Sequence, residues 1–277
     1  MGNIVSAYIY PHPPIIVPEI GKGEECAASG TVNACIEASK KIKDKNPDTV
    51  LIITPHGPAF RDAVAISVEE KLVGSFAKFG RPDVKLDFQN NLKLTSKIIE
   101  NARLSGIPIV PLNTQAVSRY GIDTSLDHGA LVPLYYISKE LENVKIVHLC
   151  MGFLSYRELF EFGMCIKKAV EEINDNVVIL GSGDLSHRLT LDAPCGYSER
   201  GREFDQKLVG LLAKGNFDEI MAIDESLIET AGECGMRPFS IMFGCLDGCK
   251  VLPRILSYEG PFGVGYCVGE FDIGADN

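Results

Sequence analysis

Val177–Leu189, VVILGSGDLSHRL, is the stretch whose reading decides the fold. It opens as an apolar, largely β-branched run, breaks at Gly181-Ser182-Gly183, and delivers Asp184, Ser186 and His187 immediately afterwards. An apolar run bounded by glycine reads as a strand covered on both faces, as in a parallel sheet flanked by helices. In such sheets ligands gather beyond the carboxyl ends of the strands, so the loop carrying His187 falls where chemistry is expected.

Two other strands end in a comparable way. Ile4–Tyr10, rich in β-branched and aromatic residues, stops at Pro11-His12-Pro13-Pro14, and Thr49–Thr54, TVLIIT, stops at Pro55-His56-Gly57-Pro58. Prolines on both sides of His12 stiffen the backbone and prevent strand or helix from continuing, which leaves little entropy to lose when a ligand binds. Val144–Met151, VKIVHLCM, is a further buried strand, and His148 inside it reads as a hydrogen-bonded core residue. After Ser125-Leu126-Asp127-His128-Gly129, the apolar stretch ALVPLYYI leads to a helix near residue 142, with Asp127 as its cap and His128 at its positive end.

Helical spacing appears over Gly30–Lys45, Asn91–Ser105, Tyr156–Asn174, Arg200–Gly215, Asp218–Thr230 and Met236–Gly248. Ile107–Leu112 is a short strand, AVAISVEE another, and GSFAKFGRPDVKLDFQ a hairpin or an excursion over the surface. VLPRILSYEG and VGYCVGEFD supply two strands that complete the sheet. No repeat, low-complexity stretch or linker interrupts the alternation. It predicts one α/β domain over residues 1–277, a three-layer α/β/α arrangement with a central, mostly parallel or mixed sheet.

Composition narrows the function. With 277 residues, 45% hydrophobic and 23% charged, the chain has the make-up of an ordinary globular protein. Its net charge of −10 is spread without a basic cluster, which argues against a nucleic-acid partner. No apolar run approaches the roughly 18 residues of a membrane span, and the first residues do not read as a signal peptide, so no membrane association and a cytoplasmic location are expected. Nine cysteines, an odd number, read as reduced thiols; Cys245 and Cys249 read as small core residues. A homodimer is the default assembly for such a chain.

The chain has five histidines, at 12, 56, 128, 148 and 187. Two histidines and one carboxylate on one face of a mononuclear site make the non-haem Fe(II) pattern, with positions left open for substrate and O₂. His12 and His56 are the natural imidazole ligands, each on a rigid strand-end loop. His128 and His187 remain for hydrogen bonding and acid/base work. For the third ligand, Glu233 in the tight AGECG turn is the first choice. Cys234 beside it competes, since a thiolate would favour zinc, and Glu229 one turn earlier is third. A zinc hydrolase ranks lower, because neither a GxSxG element nor an HExxH helix is present. No basic cluster announces a carboxylated ring; Arg61, Arg119, Arg188 and Arg237 are the candidates for one.

Taken in order, PHPP, TPHG, DHG, GSGDLSH and AGECG resemble the class III extradiol dioxygenases, the superfamily of protocatechuate 4,5-dioxygenase β-subunits, over nearly the whole chain. The resemblance implies a mixed sheet between helices, a mononuclear Fe(II), and cleavage of a catechol by O₂ next to its two hydroxyls. It places His12, His56 and Glu233 in the metal triad, His187 as the acid/base histidine and His128 as the substrate-contacting histidine. The segment Glu233-Cys234-Gly235-Met236-Arg237-Pro238 also resembles the Cys-Gly pattern of the Memo-like branch, in which a cysteine takes the carboxylate's place. That branch implies a metal-binding partner or assembly protein without ring cleavage, with an AMMECR1-domain or radical-SAM protein as its partner.

Overall fold

Along the central strands, neighbouring side chains divide between two cores. The computed structural model describes residues 2–274, and its strands are β1 (Asn3–Tyr10), β2 (Thr49–Thr54), β3 (Val64–Ser67), β4 (Lys71–Phe76), β5 (Arg81–Gln89), β6 (Ile109–Leu112), β7 (Lys145–Cys150), β8 (Asn176–Ser182), β9 (Val251–Glu259) and β10 (Tyr266–Ile273). Ala7 and Ile9 of β1, Leu51 and Ile53 of β2, and Val177 and Ile179 of β8 enter one core. Tyr8 and Tyr10, Val50 and Ile52, and Val178 and Leu180 enter the other. Side chains alternate across a strand, so a strand buried on both faces has no polar position left to show. This is why TVLIIT and VVIL are continuous apolar runs.

Eight strands form one sheet in the order β6-β3-β7-β2-β8-β1-β10-β9. β7, β2, β8 and β1 run parallel. β3 lies antiparallel to β7 and β10 antiparallel to β1, so the sheet is mixed. Helices Leu92–Leu104, Tyr156–Glu171, Glu199–Leu212 and Met236–Cys245 supply the first core. Helices Ser29–Asp44 and His128–Ser138, with the β4–β5 hairpin, supply the second. The expected three-layer α/β/α architecture is therefore present. No helix of the described residues is long and apolar enough to cross a membrane, and all nine cysteines are free.

Two helical boundaries differ from the sequence reading. The ALVPLYYI stretch is itself the helix, which begins at His128 and not near residue 142. It is apolar all round because it is buried between sheet and hairpin, which hides the amphipathic signal. The helix expected over Asp218–Thr230 is two, Phe217–Met221 and Glu225–Ala231. Asp224 separates them by accepting from the backbone N–H groups of Ser226 at 2.8 Å and Leu227 at 3.2 Å, a capping arrangement that starts a new helix.

Candidate metal centre

The parallel strands aim three loops at one point. β1 and β8 are neighbours with Tyr10 opposite Ser182, and β8 and β2 are neighbours with Ile53 opposite Gly181. The residues that follow, His12, His56, Asp184 and His187, leave the same edge of the sheet, at its carboxyl ends. His128, at the first turn of its helix, and Cys234, after the helix Glu225–Ala231, close in from outside the sheet.

His12 is buried, and its backbone N–H donates to Asp184 Oδ1 at 3.0 Å. Its Nδ1 is 2.8 Å from Ser182 Oγ, and the Ser182 hydroxyl donates to the Gly129 carbonyl at 2.5 Å. A hydroxyl has one hydrogen to give, so Ser182 must accept from His12 Nδ1–H. This leaves the lone pair on Nε2, which faces the site.

His56 Nε2 is 2.9 Å from His12 Nε2, and Cys234 Sγ is 3.5 Å from that same nitrogen. Two nitrogens bound at about 2.1 Å to one divalent ion at a right angle lie about 3.0 Å apart, and a nitrogen and a thiolate at a tetrahedral angle about 3.6 Å apart. The donor set fits a transition-metal ion in both chemistry and spacing. Donor atoms of His12, His56 and His128 all lie within 4.8 Å of one another, as do those of His12, Asp184 and Cys234. The His128 ring stacks on His56 with centroids 4.2 Å apart, and Phe79 meets its edge at 5.5 Å.

Burial, and then the neighbouring imidazoles, lower the histidine pKa values: His12 well below the usual range, His56 and His128 to about 4. At neutral pH all three offer lone pairs. Burial pushes the Asp184 carboxyl up, and it pushes the Cys234 thiol up with help from the Asp184 and Glu233 charges. A thiol of this kind stays protonated until a metal cation replaces the proton. His187 donates from Nδ1 to the Gly232 carbonyl, and its backbone N–H donates to Ala231 O at 3.1 Å. Nε2 is thereby the nitrogen left free for proton exchange.

Of the residues singled out in the sequence, His12, His56 and His128 come together, and His187 is held on the turn that leads to Cys234. Glu233 is turned elsewhere: its Oε2 accepts from Met236 N at 2.6 Å, at the start of the following helix. Glu229 is exposed. Asp184 supports the His12 backbone and also brings Oδ2 to 3.8 Å from His12 Nε2. His148 is buried and hydrogen-bonded as expected, but its partners tie it to the site. Its Nδ1 is 2.9 Å from Ser67 Oγ and its Nε2 3.2 Å from Asp127 Oδ2. Asp127 Oδ1 accepts from Thr54 Oγ1 at 2.6 Å and Gly129 N at 2.8 Å, which ties the end of β2 to the His128 helix. Ser182 and Thr54, which sequence reasoning passed over, carry no local signal beyond lying at strand ends. A separate cavity of about 710 Å³ lies under the hairpin, lined by Val73, Lys78, Phe88 and Asp123 among others and by none of the five histidines.

The chain is 45% identical over 261 residues to protein CA_C1420 of Clostridium acetobutylicum, covering 94% of this chain but only 56% of that protein's length. It is 27% identical over 274 residues to the 3,4-dihydroxyphenylacetate 2,3-dioxygenase of Escherichia coli, covering 93% of this chain and 95% of the relative. A shorter match, 27% over 152 residues, covers 54% of this chain and 46% of the MEMO1 family protein MJ0403 of Methanocaldococcus jannaschii. The profile of one family spans residues 6–269, from the first strand through the last, and the chain accordingly belongs to that family, the catalytic LigB subunit of aromatic ring-opening dioxygenase.

Proposed function

We propose that this protein is a non-haem Fe(II)-dependent extradiol dioxygenase that cleaves a catecholic ring with O₂. The observation that supports this reading most is the convergence of the His12 and His56 nitrogens, 2.9 Å apart, beside a histidine whose other nitrogen is already committed. His12 and His56, with the third ligand, would hold the Fe(II), whose chemistry when bound would be Lewis acidity toward the catechol oxygens and a redox route from the ring to O₂. The chain's own residues do the rest. Ser182 keeps the His12 lone pair directed at the centre. His187, fixed through Nδ1, uses Nε2 to take a proton from a catechol hydroxyl and later return it to the departing oxygen. His128, stacked on His56, steadies the developing negative charge on the substrate oxygen. The reduced cysteines suit a cytoplasmic setting.

A second reading is favoured by one specific observation: Cys234, and not Glu233, faces His12. A thiolate as third ligand fits a Memo-like metal-binding protein that serves a partner, such as an AMMECR1-domain or radical-SAM protein, and turns over no aromatic. Two measurements separate the readings. Protein reconstituted anaerobically with Fe(II) and offered a panel of catechols should yield yellow ring-fission product; none from any catechol, with iron demonstrably bound, would sink the dioxygenase. In the Co(II)-substituted protein an intense thiolate-to-metal band that disappears in Cys234→Ala but persists in Glu233→Gln assigns the third ligand to sulfur. Absence of that band in the wild type, with Co(II) bound, assigns it to the carboxylate.

A further inference from the structure

Of the four candidate arginines, Arg237 donates to Leu154 O and lies over Phe153 and Tyr156, and Arg119 lies over Tyr120. Arg61 is exposed, and Arg188 keeps an Nε sealed from solvent with no hydrogen-bond partner. The side chain brought against a site histidine is instead Phe79. Its ring meets the His128 ring with centroids 5.5 Å apart and planes at 65°, and His128 in turn stacks on His56 at 4.2 Å. His12 is buried, whereas His56 and Phe79 are both exposed, Phe79 by 38%. The solvent-facing side of the candidate metal centre is therefore a row of rings, Phe79, His128 and His56.

The tip of the hairpin holds that ring in place. β4 and β5 pair with Ser75 opposite Lys85, the register then shifts to Phe76 opposite Arg81, and the 3₁₀ turn Ala77–Phe79 between them is closed by Gly80 at φ +74°. Phe76 is fully buried, its ring centroid 6.4 Å from that of Phe79 and 6.5 Å from that of Tyr135 on the His128 helix. Gly74 lets the hairpin lie against that helix, since an added Cβ would come within 2.9 Å of Leu131 Cδ2. Leu126 N–H donates to Val73 O at 2.9 Å, and Arg81 donates to the Glu19 carbonyl. The hairpin that carries Phe79 and the helix that carries His128 are thus one packed unit. A phenylalanine so fixed is kept partly in water beside the site, and a preorganised aromatic surface is one that a planar ligand gains from covering.

We propose that Phe79 is a specificity-determining wall of the substrate pocket: the ring of an aromatic diol, held through its two oxygens at the candidate metal centre, packs against the Phe79 ring beside His128. The diol part of this assignment rests on the ring-cleavage reading; the aromatic wall rests on the contact between Phe79 and His128. Phe79 selects a planar ring over a non-aromatic ligand with the same pair of oxygens, and the proton chemistry stays with His187.

Absorption titration of the Co(II)-loaded protein without O₂ tests this with two chelators. They are catechol and acetohydroxamate, which also offers two oxygens to one metal but has no ring. Phe79→Ala should weaken catechol binding roughly tenfold and leave acetohydroxamate within about twofold of the wild type. Phe79→Tyr, which keeps the ring, should bind catechol as the wild type does, and Phe79→Leu carries the same comparison where Phe79→Ala does not retain Co(II). Catechol that leaves the wild-type spectrum unchanged, or that binds the variants lacking the ring as tightly as the wild type, overturns the proposal. Equal weakening of both chelators overturns it as well, because Phe79 would then only support the metal ligands. Ring opening is read separately, in the Fe(II) protein with O₂. Phe79-dependent catechol binding with no ring-fission product from any catechol would remove the dioxygenase and keep the wall, and ring opening with catechol affinity indifferent to Phe79 would do the reverse.

Discussion

Pro133 and Ser182 meet through the Gly129 carbonyl. In a regular helix that carbonyl would accept the N–H of the residue four positions on, which here is Pro133 and has none to give. The freed carbonyl takes the Ser182 hydroxyl hydrogen, and Ser182 in turn receives His12 Nδ1–H. A proline inside a buried helix thereby sets the tautomer of a candidate metal ligand. Ser182→Ala should lower metal affinity by roughly 10- to 100-fold, the usual effect of losing a ligand's supporting hydrogen bond. Competition against a chromophoric chelator measures it, and an unchanged affinity would show that Ser182 does not orient His12.

Asp127 is the junction between the end of β2, the His128 helix and His148. Burial would raise its carboxyl, but the His148 hydrogen bond and charge, with Thr54, hold it well below the usual carboxylate range. Asp127→Ala removes a helix cap and leaves Thr54 and His148 without their shared partner. A loss of about 3 kcal/mol is expected in urea unfolding of the metal-free protein. Asp127→Asn, which keeps the cap, should lose less.

The imidazoles should titrate late. With His56 and His128 lowered to about 4, both are neutral at pH 5.5 in the metal-free protein, where an ordinary histidine is mostly protonated. Because a metal competes with protons for the ring nitrogen, retention of metal should persist down to about pH 5 and fail as pH approaches 4. Histidine ring proton shifts followed by NMR, and metal content after dialysis at each pH, check the two halves separately.

Glu233 provides a pH signature of its own. Burial pushes its carboxyl up to about 7 against the pull of the Met236 and Gly235 N–H groups. A carboxyl raised above its unfolded value destabilises the fold once ionised, so the wild type should lose stability as pH climbs from about 4.5 to 7 through this group. Glu233→Gln keeps an acceptor for Met236 N and removes the charge. Allowing for its partial solvent access, it should stabilise the metal-free protein by ~2 kcal/mol at about pH 8 and leave it unchanged below about pH 4.5. Urea midpoints at the two pH values test this, and a destabilised variant at pH 8 would contradict the burial argument.

The sequence by itself determined the sheet and the loops that serve it. VVIL and the TVLIIT core are continuous apolar runs because both their faces are covered, the first strand is largely apolar, and each is cut off by glycine or proline shortly before a histidine. Those signals are local, so His12, His56, His128 and His187 could be picked out without a structure. Tertiary structure alone decided what lies beside them. Glu233 and Cys234 are adjacent, and which of them faces His12, 222 residues from Cys234, depends on how the turn at Gly232 is oriented. The pairing of Ser182 with Gly129, of Asp127 with His148, and the unpartnered Nε of Arg188 all arise between segments distant in the chain. Periodicity and punctuation report the backbone's local state; the direction of a side chain across a site is set by packing, which only the folded chain contains.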